Sequence, residues 1–155
     1  MWQGTVASIH VAKSAGQPME TLPEARAVAG RGLDGDRYCL GTGYYSDKPS
    51  AGGREVTLIE TETLEALSGE GPIKISAAES RRNIATSGVP LNHLVGREFW
   101  VGPIRMRGTR LCEPCRYLDG LTQPGVMGAL IHRAGLRAQI LNDGLIRVGD
   151  AIRPA

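Results

Sequence analysis

Aromatic residues and cysteines are both scarce in this 155-residue chain, which holds 2 Trp, 4 Tyr, 1 Phe and 3 Cys. So few rings give no basis for the stacking platforms of a groove that takes single-stranded nucleic acid, and no nucleic-acid partner is expected. Three cysteines are an odd number and too few for a disulfide framework, as in a reducing compartment, so free thiols are expected. No apolar run approaches the ~18 residues of a membrane span, and Met1-Trp2-Gln3-Gly4 lacks the basic start and apolar centre of a signal peptide. The expectation is a cytoplasmic protein with no membrane partner. Internal repeats, low-complexity tracts, a G-x-S-x-G elbow and an H-E-x-x-H helix are missing as well, which leaves hydrolase chemistry little support.

What is present is ordinary in bulk and uneven in charge. Hydrophobic residues make up 41% and charged residues 22%, the values of a folded domain. The length fits a single domain over residues 1–155, burying roughly two thirds of its unfolded surface. A net charge of +2 conceals an asymmetry: residues 1–80 carry 7 basic and 11 acidic side chains, residues 81–155 carry 11 and 5. All eleven basic residues of the second part are arginine, whose planar fork suits an oxyanion, and a small anionic ligand fits this better than a polymer. A coding bias toward arginine gives the same count.

Periodicity predicts many short strands. Trp2 to Lys13 is rich in Val, Ile and Thr and reads as a strand; Pro18 and Pro23 then interrupt any regular element. Seven of the 24 residues from Gly30 to Gly53 are glycine, and within that stretch Gly30 to Tyr38 reads as a turn-dense loop and no helix. Arg54 to Glu60 reads as a strand and Thr61 to Ser68 as a helix that Thr61 caps and Gly69 ends. Leu91 to Val95 is one helical turn. Arg97 to Val101 and Ile104 to Leu111 are strands joined at Gly102-Pro103, and Gly125 to Ala134 is a short helix. Leu136 to Leu141 and Leu145 to Val148 flank Asn142-Asp143-Gly144, a hairpin signal. Six or more strands against two or three short helices exclude a doubly wound sheet. The expected fold is mainly β with a few short helices, a closed or nearly closed mixed or antiparallel β-barrel.

Two of the three cysteines lie together in Arg110-Leu111-Cys112-Glu113-Pro114-Cys115-Arg116, at a strand end. Nearby cations favour the thiolate, the better nucleophile and metal ligand, and Arg110 and Arg116 can supply them. A zinc site needs two further ligands, yet Cys39, His10, His93 and His132 offer no second C-x-x-C or H-x-x-x-H. A thioredoxin-like pair needs a long helix after the strand. What stays open is a pair of buried structural cysteines, or a thiolate that binds a soft metal or carries sulfur. Asp34-Gly35-Asp36 lacks the later carboxylates of a calcium loop and reads as a tight turn. Ser80-Arg81-Arg82-Asn83 is either an oxyanion clamp or a solvated turn. His132-Arg133 ends a helix, where capping is the default role.

The ordered series Gly32-Leu33-Asp34-Gly35-Asp36-Arg37, Arg54-Glu55-Val56-Thr57-Leu58-Ile59, Glu79-Ser80-Arg81-Arg82-Asn83-Ile84, Leu94-Val95-Gly96-Arg97, Cys112-x-Pro114-Cys115 and Val148-Gly149-Asp150 resembles a stand-alone MOSC domain, named after the C-terminal domain of molybdenum cofactor sulfurases. The resemblance implies a barrel of the MOSC type that binds the molybdenum cofactor (molybdopterin), with Cys115 as molybdenum ligand or sulfur-carrying thiol. It implies that Arg81, Arg82 and Asn83 hold the phosphate or pterin end, with His132 and Arg133 as secondary candidates and Cys112 as an auxiliary thiol. Relatives deliver sulfur to the cofactor or reduce N-hydroxylated compounds. A lone MOSC domain would act alone or take its sulfur or electrons from a donor protein. The competing class is a non-enzymatic anion- or protein-binding barrel with structural cysteines.

Overall fold

A computed structural model of the chain describes residues 1–47 and 54–155. The last part of the glycine-rich loop, 48–53, lies outside the described residues. Among those described, strands are β1 (Gly4–Val11), β2 (Glu20–Leu22), β3 (Glu24–Val28), β4 (Gly32–Leu33), β5 (Val56–Glu60), β6 (Ile84–Ser87), β7 (Glu98–Val101), β8 (Ile104–Leu111), β9 (Leu136–Ile140), β10 (Gly144–Arg147) and β11 (Ala151–Pro154). The helices are α1 (Arg37–Leu40), α2 (Thr61–Glu70), α3 (Arg116–Leu121) and α4 (Val126–Leu130), with a 3-10 turn at Leu91–Leu94.

Strand order β11-β7-β8-β9-β5-β6-β1 closes on itself because β1 also pairs with β11, setting Gly4 against Ile152. The result is the expected closed barrel, with seven strands. It is mixed because β5 and β6, joined through α2, run parallel. β2 extends β1, and β10-β3-β4 form a separate three-stranded sheet. Alternation along β8 buries Ile104, Met106 and Gly108 and exposes Arg105 and Arg107. Inward residues such as Val6, Ile9, Leu58, Phe99 and Leu136 fill the barrel, and Ala25, Ala27, Leu33 and Ile146 of the small sheet join that core. A second apolar cluster, Leu67, Leu118, Val126, Leu130 and Ala134, ties α2, α3 and α4 together, and Cys115 packs against it.

Several local expectations are corrected. Pro23 does not end regular structure: β2 and β3 lie on either side of it. The glycine-rich loop contains a helix after all, α1, because the Asp36 carboxylate accepts from the Tyr38 amide as its cap. Helix α2 runs to Glu70, with Glu60 rather than Thr61 at its cap position. Helix α3, directly after the cysteines, and strands β6 and β11 were not anticipated; α4 is shorter than 125–134. Asn142-Asp143-Gly144 is no hairpin, for β9 pairs with β8 and β5 whereas β10 pairs with β3. Its side chains are spent elsewhere: Asn142 accepts from the Arg105 amide at 2.7 Å and Asp143 from the Ala29 amide at 2.7 Å.

Candidate functional site

The two neighbouring cysteines have opposite surroundings. Cys112 is 1% exposed, its amide donates to the Gly135 carbonyl at 2.8 Å, and its carbonyl accepts from Arg82. Gly135 has φ +112°, and a Cβ there would stand 1.9 Å from the Leu58 carbonyl oxygen, so no other residue lets the β9 lead-in pass so close to β5. Cys115, three residues on, has extended backbone (φ −138°, ψ 170°) and starts α3. It is half-buried and lines a cavity of about 50 Å³ together with Arg37, Tyr45, Arg81, Arg82 and Tyr117.

Tyr45 is hydrogen-bonded through its hydroxyl to the Cys115 side chain. That bond, reinforced by burial and by the negative thiolate form of Cys115, pushes the phenol up to about 12, so the hydroxyl stays a donor at neutral pH. Tyr44 stacks on Tyr117 with ring centroids 4.0 Å apart and meets Tyr45 edge-on at 4.7 Å. Tyr38 also lines the cavity, so three of the chain's four tyrosines line it with Cys115 and the fourth, Tyr44, packs on two of them.

Positive charge reaches this cavity from a different source than the neighbouring sequence suggests. Arg110 and Arg116, flanking the motif, are exposed and outside the lining. Arg37, Arg81, Arg82 and Arg137 line it instead. Arg37 pairs with the fully buried Asp36 at 2.9 Å and donates to the Arg81 carbonyl at 3.1 Å. Arg81 is 8% exposed and adopts φ +65°, a left-handed conformation rare for a side-chain-bearing residue. Its Nη1 donates to the Gln17 carbonyl, while its Nη2 is buried with no hydrogen-bond partner among the described residues. Burial first, then the Arg37 guanidinium, lowers its pKa below the usual arginine value. Burying an unpaired charge is unfavourable, so the fold holds here a cation that an anion would satisfy.

The remaining candidates are placed as follows. Arg82 lines the cavity, but its guanidinium is engaged by main-chain carbonyls: Nε donates to Ala134 at 2.9 Å and Nη2 to Cys112 at 3.0 Å. Asn83 is outside the lining and fully tied, accepting from the Thr57 amide at 3.0 Å and donating to the His10 carbonyl at 3.1 Å. His132 is exposed, and Glu113, which lines the cavity, binds both its amide and its Nδ1 at 2.7 Å. Arg133 faces away in a bidentate pair with Glu70 at 2.7 and 2.9 Å. His132, at φ +64°, is with Arg81 one of two non-glycine residues at positive φ among the described residues. Strain of this kind concentrates at functional sites.

Sequence reasoning missed Tyr45, Tyr117, Arg37 and Glu113. Arg37 lies inside the Gly32–Arg37 motif, and the Tyr44-Tyr45 pair was visible as half of the chain's tyrosines in one glycine-rich loop. Among the described residues no three His, Cys, Asp or Glu side chains converge as a metal site. No helix among them is long and apolar enough to cross a membrane.

The family model for the MOSC domain matches residues 17–153. A search of the curated proteins finds no match. Among solved structures, the YuaD protein of Bacillus subtilis superposes with a TM-score of 0.78 at 16% identity, covering 98% of this chain and 97% of that one. YiiM of Geobacillus stearothermophilus gives 0.73 at 12% identity over 98% of this chain and 75% of its own, and YiiM of Escherichia coli gives 0.68 at 14% over 100% and 70%. At these identities the likeness is one of fold.

Proposed function

The chain belongs to the MOSC domain family, which is associated with the molybdenum cofactor, and we propose that it binds that cofactor with Cys115 as the metal ligand or the sulfur-carrying thiol. The residues present suit such a group. Cys115 is a soft donor, and molybdenum bound through sulfur is a soft partner. Arg81, which lines the same cavity, has a buried N–H with no hydrogen-bond partner among the described residues, and this single observation carries the reading. About 50 Å³ holds the phosphate or the metal-bearing end and not a whole pterin. Arg81 also lines an adjoining cleft of about 360 Å³ between Pro18, Met19, Ala78 and Leu121, which leaves room for the remainder.

When bound, the cofactor supplies two-electron redox chemistry and an exchangeable sulfur. The protein's part is then legible residue by residue. Tyr45 is hydrogen-bonded to the sulfur and fixes its direction. Arg81 neutralises the anionic group, and Arg37 holds Arg81 in place through its carbonyl. Arg82 braces the cysteine loop against the lead-in to β9.

Protein made in a cofactor-producing host is expected to retain molybdenum, and Cys115→Ser to lose it by elemental analysis. Equal molybdenum in both overturns the ligand assignment. A persulfide on Cys115 by mass spectrometry selects the sulfur carrier; turnover of an N-hydroxylated base with a reducing partner selects the reductase. The structural-cysteine reading is favoured by the burial of Cys112 and predicts that Cys115 also resists alkylation in the folded state.

A further inference from the structure

We propose that the outward face of β8 and its neighbours β7 and β11 is a docking surface for a protein presenting a carboxylate-rich patch. β8 exposes Arg105 and Arg107 by simple alternation. Arg110, an odd number of residues beyond Arg107, would point into the barrel, but a bulge between Gly108 and Arg110 turns it outward and continues the row. Across β7, Trp100 stands opposite both Arg105 and Arg153, whose guanidiniums lie 5.7 and 5.5 Å from its ring centroid. Contact with the ring restrains both side chains, and the Arg153 fork, which makes no ion pair among the described residues, then loses less entropy when it binds a carboxylate, whereas the Arg105 fork is already held by Glu98.

This face is not balanced from within. Its acid is Glu98, paired with Arg105 at 3.1 Å. Arg107, directly opposite Glu98 in register, makes no ion pair among the described residues, and neither do Arg97 and Arg110. Beside the row lies an open groove of about 590 Å³ between Trp2, His93, Arg97, Glu98 and Arg105, with volume enough for an acidic side chain. A protein face is the occupant this arrangement favours. Arginine and tryptophan are enriched at protein interfaces, whereas Trp100 is already engaged by two arginines and offers little platform for a base. At its far end β8 runs into the Cys112–Cys115 segment, so a docked partner would lie beside the cavity. That the partner donates sulfur or electrons rests on the cofactor reading; the binding itself does not.

The test uses a fluorescently labelled polyglutamate peptide of about twenty residues as the acidic surface, followed by anisotropy at low and high salt, where exposed charges are screened. Arg107→Glu/Arg153→Glu is expected to weaken binding by roughly tenfold or more, and Arg107→Gln/Arg153→Gln by less. Arg26→Glu/Arg31→Glu, an equal charge change on the exposed faces of β3 and its following turn, is expected to leave binding within about twofold. Equal loss in both charge-reversed variants, or no binding by the wild type, overturns the proposal. So does tighter binding of a phosphatidylserine vesicle or of a single-stranded oligonucleotide of matched charge, which would assign the face to a membrane or to nucleic acid. Circular dichroism checks that each variant is folded, and its molybdenum content separates failure here from failure of the cofactor reading.

Discussion

The Arg82 guanidinium donates to the carbonyl of Cys112 at 3.0 Å, and through this bond the loop that leads from α2 into β6 grips the segment that carries both cysteines. The same side chain holds the Ala134 carbonyl at 2.9 Å on the far side of that segment. Cys112 is thereby fixed in the core, while Cys115, beyond Pro114, is left to face the cavity. One arginine thus makes two similar sulfurs chemically different.

Arg82→Met is expected to lower stability by about 2–4 kcal/mol, because two buried carbonyls lose charge-assisted partners at once. Urea unfolding with an unchanged slope measures it. If the loss is near zero while ligand binding fails, Arg82 is a ligand contact and not a brace.

Tyr45→Phe is expected to slow alkylation of Cys115 several-fold, since the reacting sulfur loses the hydroxyl hydrogen-bonded to it. Stability should change little, because the ring and its edge-on contact with Tyr44 are kept. Stopped alkylation of the folded protein, with labelled peptides identified by mass spectrometry, gives the rate for Cys115 separately from Cys112. An unchanged rate would show that the hydroxyl does not act on the sulfur.

The barrel was legible because β8 and β9 alternate cleanly and their inward residues are large and apolar. The Asn142-Asp143-Gly144 turn misled because turn chemistry is local and strand pairing is not. The same residues that signal a hairpin are used to anchor Arg105 and Ala29, and β10 leaves for another sheet. Within the site, the Cys112–Cys115 pair and the Ser80–Asn83 stretch stood out by residue type, and only the family resemblance separated Cys115 from Cys112 and favoured a clamp over a solvated turn. Asn83 stood out equally, yet a buried polar strut and a ligand-binding residue are the same kind of side chain; only the Thr57 and His10 contacts tell them apart. Tyr45 could not be placed, since its contact with Cys115 joins positions seventy residues apart.

Gly135→Ala is expected to destabilise the protein by at least about 3 kcal/mol, the sum of left-handed strain and a collision with main chain that cannot move. Gly30→Ala is the control: it also has positive φ but meets nothing within 4 Å, so only the smaller conformational loss remains, about 1 kcal/mol. Thermal melts of the two variants compare the terms directly.

His10 gives a pH dependence whose sign is fixed by burial. The ring is 3% exposed on β1, with one nitrogen 2.8 Å from Ser8 Oγ and the other 3.1 Å from Thr21 Oγ1, and no carboxylate pairs with it. Burial therefore lowers its pKa below the ordinary 6.5. Between 6.5 and that lower folded value the unfolded chain binds a proton that the folded chain refuses, so stability falls as pH drops through this window. Glu55 and Glu60 act in the opposite direction, since burial raises both and the folded state then takes up protons more readily on acidification. Total stability against pH mixes these opposing effects. The difference between wild type and His10→Gln removes the two glutamates, which both proteins share. Wild type should lose stability relative to His10→Gln as pH is lowered from about 7 to about 5, across the titration range of an unfolded histidine. A gap in urea midpoints that stays constant with pH would mean that the folded imidazole accepts its proton as readily as the unfolded one.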